Sequence, residues 1–183
     1  MANTSVFGIY STRETASHTV EALRGAGFRS TDVSVLLPEN KGTKDFAHEK
    51  NTKAPEGAAT GGSAGAVVGG ALGWLAGIGA LAIPGLGAFI AAGPLVAVLA
   101  GVGAGAVTGG LIGALTGLGM PEYEAKRYEG RVRTGAILMS VHCDSSEWVK
   151  RAKEILEQGG ATDISSAGEA TADYAKSSKP YAR

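Results

Sequence analysis

The chain is poor in the groups most proteins use for chemistry. It has one cysteine, Cys143, and three histidines, His18, His48 and His142, in 183 residues. A single cysteine excludes an intramolecular disulfide and any multi-cysteine metal site. His48 has no second histidine or cysteine at metal-ligand spacing. His142, Cys143 and Asp144 are adjacent, but strand neighbours point to opposite faces, so His142 and Cys143 do not converge. Cys143 therefore reads as a core cysteine at a strand end. An excess of either charge is also missing, with 17 basic and 17 acidic residues. No global field then steers the chain to nucleic acid or to an anionic surface. Aromatics make up 6%, and no basic-aromatic run of the RNA-recognition type occurs. Phe7 and Tyr10 are candidates for a sheet platform, but without such a run and with neutral net charge nucleic acid is not an expected partner. No lysine follows a glycine-rich loop in the way a phosphate-binding loop requires. Gly61-Gly62-Ser63-Ala64-Gly65 matches the nucleophile-elbow letters, but a polar linker precedes it where that elbow needs a buried strand. The expectation is no enzyme: no catalytic residue, no cofactor and no metal.

The largest absence is charge. From Gly57 to Pro121 there is no Asp, Glu, Lys, Arg or His, a longer run than two bilayer-spanning helices of about 20 residues each need. Within it glycines recur every fourth position: Gly57, Gly61, Gly65, Gly69, Gly73 and Gly77. A second series runs Gly93, Ala97, Gly101, Gly105, Gly109, Gly113 and Gly117. Residues four apart share a helix face, so each series predicts a flat, side-chain-free stripe along a helix. A helix pays about 1 kcal/mol for each glycine relative to alanine. Close packing, an apolar surrounding, or both must offset that cost. Two helices are expected, over about 57–81 and 94–118, joined at Pro84-Gly85, with a short piece at 88–92 between them. Stripe drift of about 40° per glycine turns some of them away from the hairpin partner and toward another molecule. Trp74 and Phe89 are candidate lipid or neighbour contacts. The tip, from Gly77 to Gly93, holds no polar side chain and suits a dry surrounding.

The flanks read as a small α+β domain. Ser5–Ser11 predicts a strand, with Gly8 marking a bulge or a close approach. A helix follows over about 12–25, with Ser11 and Glu14 at capping-box spacing, and Asp32–Leu37 is the second strand. Residues 39–56 are a polar linker. Glu122–Arg133 is a charged, helix-prone stretch. Ala136–His142 predicts the third strand. Asp144 and Glu147 open a helix through Gln158, and Ala161–Ser166 is the fourth strand. The order is that of a ferredoxin-like βαββαβ domain, with a long hydrophobic glycine-zipper helical hairpin inserted between strands 2 and 3. The expected divisions are 1–38, first half of that domain; 39–56, linker; 57–120, hairpin; 121–166, charged helix and second half; and 167–183, disordered tail.

The block VFGIYSTRETASHTVEALRGAGFRSTDVSVL and the charge-free GAATGGSAGAVVGGALGWLAGIGALAIPGLGAFIAAGPLVAVLAG resemble the bacterial general stress protein family, the heat-induced small proteins. The hairpin resembles the glycine-zipper segments of bacterial envelope and stress proteins. That resemblance implies a stress-associated role and carries no catalytic residue. The combined expectation is a non-enzymatic structural protein that self-assembles as a homo-oligomer through its hairpins, its partners being itself and membrane lipid. One alternative is a membrane-anchored protein with a two-helix hairpin, and another is a small-molecule-sensing domain. MANTS lacks the basic start and apolar core of a secretion signal. The expected location is the cytoplasm, or the cytoplasmic face of the inner membrane with the hairpin inserted.

Overall fold

The structure, a computed structural model, describes residues 4–39, 71–75, 77, 79–83, 86–96, 99 and 110–168. Among these, six strands form one sheet: β1 (Thr4–Tyr10), β2 (Val33–Pro38), β3 (Gly79–Ile83), β4 (Gly87–Ala92), β5 (Ile137–Cys143) and β6 (Thr162–Gly168). Their order is β3-β4-β2-β5-β1-β6, and every neighbouring pair is antiparallel. The helices are α1 (Arg13–Gly25), α2 (Gly110–Gly117), α3 (Glu122–Arg133) and α4 (Ser146–Gln158), with a 3-10 turn at Ala71–Trp74. The architecture is α+β.

Both sheet faces are covered. On one, Val6, Tyr10, Val35, Met139 and Val141 pack with Val20 and Leu23 of α1 and with Ala152 and Leu156 of α4. On the other, Phe7, Ile9, Leu36 and Leu138 pack with Leu111 and Leu115 of α2 and with Ala125, Tyr128 and Val132 of α3. Double coverage explains why the strands read as near-continuous apolar runs rather than strict alternations. Phe7 and Tyr10 are both fully buried, so neither is displayed. At Gly8 the register of β1 against β6 shifts, and a Cβ there would lie 3.0 Å from Ala161 and Leu156. Bulge and close approach occur together.

The middle of the charge-free run departs from expectation. Residues 79–83 and 87–92 are not helical: they form a β-hairpin that adds two strands to the sheet. Val35–Pro38 of β2 has an edge that β5 does not reach, and buried backbone groups must find partners. β4 supplies them, pairing Val35 with Ala92 through Pro38 with Phe89. Phe89 and Ala91 then face one core while Ile90 and Ala92 face the other, so the alternating period of a strand buries all four. A helix here would give up that pairing and still bear the cost of its glycines. Leu86 N–H donates to the Ile83 carbonyl at 3.0 Å to close the turn. The second predicted helix survives at its ends. Leu95, Val96 and Leu99 are helical just after Pro94, and α2 covers Gly110–Gly117.

Smaller differences concern the helix starts and the C-terminus. Thr12, not Ser11, caps α1, accepting Thr15 N–H at 3.3 Å. Ser145, not Asp144, caps α4, accepting Trp148 N–H at 3.4 Å. Each helix begins one residue later than the spacing suggested. Ala167 and Gly168, expected in the tail, belong to β6.

Candidate functional site

Gly57, Gly61, Gly65, Gly69, Ala97, Gly101, Gly105 and Gly109 lie outside the described residues, as do Pro84 and Gly85 of the expected hairpin turn. The remaining stripe positions do not share one helix. Gly73 sits in the 3-10 turn, and Gly77 is non-helical with a φ of +64°. Gly93 ends β4 with a φ of +82°. It packs so tightly on β2 that a Cβ would overlap the Val33 carbonyl oxygen. Gly113 and Gly117 alone remain helical, in α2. Trp74 lies against α1 with the Arg24 guanidinium 5.8 Å from its ring centroid. Phe89 is 2% exposed inside the second core. The expectation of outward contacts fails for Phe89 because strand pairing turns its ring inward.

A cleft of about 200 Å³ opens where the α1–β2 loop meets the start of α4. Arg29 and Asp32, three apart in that loop, form a forked pair: Nε lies 2.9 Å from Oδ2 and Nη2 lies 2.8 Å from Oδ1. The Arg29 backbone N–H also donates to Asp32 Oδ2 at 2.9 Å. Across the cleft, Asp144 is released from capping and faces the His142 ring and the Arg29 guanidinium. Its Oδ1 is 3.1 Å from His142 Nε2, and its Oδ2 is 3.7 Å from Arg29 Nη2. His142 N–H donates to the Asp32 carbonyl at 2.7 Å, joining β5 to the same loop. Phe28 and Trp148 meet edge to face nearby, centroids 4.7 Å apart. Burial pushes the Asp32 carboxyl up, but the hydrogen bonds and charge of Arg29, with the charge of His142, outweigh it and hold the group below the usual carboxylate range. The hydrogen bond to Asp32 and its charge push Arg29 up. The opposite charges satisfy one another, so the arrangement works as a clasp between two loops. Cys143 is buried beneath it, its Sγ 3.6 Å from the Val141 carbonyl.

A second polar cluster ties α3 to β6. Asp163 adopts a φ of +51°. Its carboxylate meets Arg131 Nε at 3.1 Å and Arg127 Nε at 3.9 Å. The buried Tyr128 hydroxyl donates to the Asp163 carbonyl and lies 3.1 Å from Ser165 Oγ. Burial pushes the Tyr128 phenol up. Lys126 pairs with Glu122 at 2.7 Å and Arg133 with Glu129 at 3.7 Å. Each basic residue of α3 thus has an acidic neighbour. The sequence brought His142 and Asp144 of the first cluster to notice by their adjacency but not their link to Arg29 and Asp32; the Arg29-x-x-Asp32 spacing was a further local signal, and the second cluster was missed.

Among the described residues no group of three His, Cys, Asp or Glu could hold a metal ion. None of the described helices is long and apolar enough to cross a membrane.

Residues 4–166 match the family model described as alternative complex III, ActD subunit. No curated protein and no solved structure matches the chain. The match spans far more than half of the sequence, and the chain belongs to the ActD family. That membership overturns the resemblance to general stress proteins: the two blocks that carried it fall within an ActD match. It equally overturns the self-assembling stress protein, and with it the homo-oligomer and the chain as its own partner, because the family is described as a subunit of a larger complex.

Proposed function

We propose that this ActD-family chain is a non-catalytic subunit of a membrane-bound respiratory electron-transfer assembly of the alternative complex III type, with the other subunits as its partners. The observation that carries this reading is the match over residues 4–166. Three features support it. Among the described residues, helices pack on both faces of the central strands. The polar clusters are ion pairs that brace loops and helices, not a nucleophile beside a base. The charge-free run from Gly57 to Pro121 suits surroundings without water, such as lipid or the flank of another subunit.

The flanking halves fit a ferredoxin-like frame. With β3 and β4 set aside, the strands stand in the order β2-β5-β1-β6, with α1 and α4 packed on one face. The charge-free segment then occupies the link between the second and third strands of that frame. We place the chain at the membrane through this segment.

Affinity purification tests the reading. The tagged chain is expressed in its native host, and membranes are extracted with mild detergent. Recovery of the other complex subunits in fixed proportion is the expected result. Recovery of the tagged chain alone, or with copies of itself only, contradicts it.

A further inference from the structure

Among the described residues the sheet ends in two unlike edges. β6 forms one of them, and it is guarded. The register shift opposite Gly8 bends it, Asp163 leaves the extended conformation, and Arg127 and Arg131 crowd that carboxylate. Bulges and charges of this kind blunt an edge against pairing with another chain. β3 forms the other edge among the described residues. It shows none of these devices: GALAI has no charge, no proline and no register shift against β4.

The hydrogen-bond pattern shows what β3 offers outward. Glu39 N–H donates to the Ala88 carbonyl at 2.9 Å, so Ala88 directs its backbone toward β2. Successive residues of a strand alternate in this respect. Gly87, Phe89 and Ala91 therefore direct theirs toward β3, bonding Ile83, Leu81 and Gly79, their register partners. Ala80 and Ala82 are left with both N–H and C=O directed away from the sheet. Both residues are exposed, and so is Ala88. The result is a short ladder of two donors and two acceptors, flanked by methyl groups that bar no approaching backbone.

We propose that β3 docks an extended, uncharged segment of another subunit of the complex, which joins the sheet as a seventh, antiparallel or parallel strand. A ladder of N–H and C=O groups is matched only by water or by another strand. The lack of charge on GALAI and GAFIAA favours an apolar strand over a charged one, which would leave its ions unpaired. The inference rests on the subunit reading above.

Two variants of the full-length tagged chain test it. Ala82→Pro removes an outward N–H that no bond within the sheet uses, a position where an edge strand accepts proline. Ala80→Lys adds a solvent-facing charge of the type that guards edges. Both variants should keep the parent's circular dichroism and melting temperature. Recovery of the other subunits should fall about tenfold or more, as expected for losing a few backbone bonds and their apolar contacts. Undiminished recovery with both variants overturns the assignment of β3. Should Ala82→Pro misfold, Ala80→Lys decides alone. If Ala80→Cys cross-links two copies of the chain within the native particle, the edge pairs with itself and the assignment falls. If the parent chain recovers no other subunit, the subunit reading fails, and this inference fails with it.

Discussion

Replacing Gly93 with alanine separates the hairpin described here from a glycine stripe. Gly93 turns the chain out of β4 at a φ of +82°. A Cβ there would overlap the Val33 carbonyl oxygen and lie 2.8 Å from Ser34 Cα and 2.9 Å from Ser34 Oγ. The same Ser34 hydroxyl accepts Leu95 N–H at 3.1 Å, so the backbone of β2 cannot retreat without losing that bond. Left-handed backbone costs alanine about 1–2 kcal/mol. Forcing a methyl into filled space adds about 1–3 kcal/mol. The sum, about 2–5 kcal/mol, is a large part of a typical stability of about 5–15 kcal/mol. For a chain of this length it lowers the melting temperature by about 5–15 °C. If the hairpin peels away instead of the whole domain unfolding, amide exchange accelerates at Val35 and Leu37, whose N–H groups are directed toward β4. Gly117→Ala is the control. It lies in α2 with nothing within 4 Å of a Cβ, and alanine there gains about 1 kcal/mol of helix propensity. The structure predicts opposite signs for the two variants. A melting temperature for Gly93→Ala within about 2 °C of the parent, less than 1 kcal/mol on that scale, would refute the reasoning.

Further substitutions probe the cores and the clasp. Phe89→Ala should cost about 3–5 kcal/mol by denaturant unfolding, the range for a buried phenylalanine, whereas a lipid-facing ring would cost the isolated chain far less. Asp32→Ala should cost about 1–3 kcal/mol through lost hydrogen bonds to a charged partner. Because the folded carboxyl is held below its ordinary value, its contribution is complete above the unfolded pKa near 4 and is lost as pH falls through the lower folded value. The parent should therefore lose stability below about pH 4 more steeply than Asp32→Ala. In alkali the direction reverses: burial pushes Tyr10 up to about 12. Its contribution is present below pH 10 and lost as pH rises toward 12, so Tyr10→Phe should flatten the alkaline limb of the melting curve.

The two flanking halves of the domain were legible because their signals are local. Ser5–Ser11 and Asp32–Leu37 carry β-formers, Val20 and Leu23 keep a helical stripe, and Gly159-Gly160 marks a stop. Even there the caps slipped by one residue. Ser11-Thr12 and Asp144-Ser145 each offer two good capping groups in a row, and Asp144 finds better partners in Arg29 and His142. The β-hairpin was not legible. GALAI and GAFIAA are small and apolar at every position, so neither period stands out, while four-residue glycine spacing reads as helix. What decides between them is the open edge of β2, far away in sequence. The clasp shares this difficulty, since it joins Arg29 to Asp144 through folding alone. The covered second face left one trace, the unbroken Val35-Leu36-Leu37 run, which fits a strand buried on both sides. The two blocks that suggested general stress proteins lie inside the ActD match over residues 4–166.

The most direct test of the account is the mass of the native particle that carries this chain. The chain weighs 18.4 kDa. Native mass spectrometry of the detergent-extracted, affinity-purified particle should give a mass that one set of different subunits accounts for, with this chain at a fixed copy number. Particles whose masses are whole multiples of the chain's own mass, with no other polypeptide present, would contradict the account.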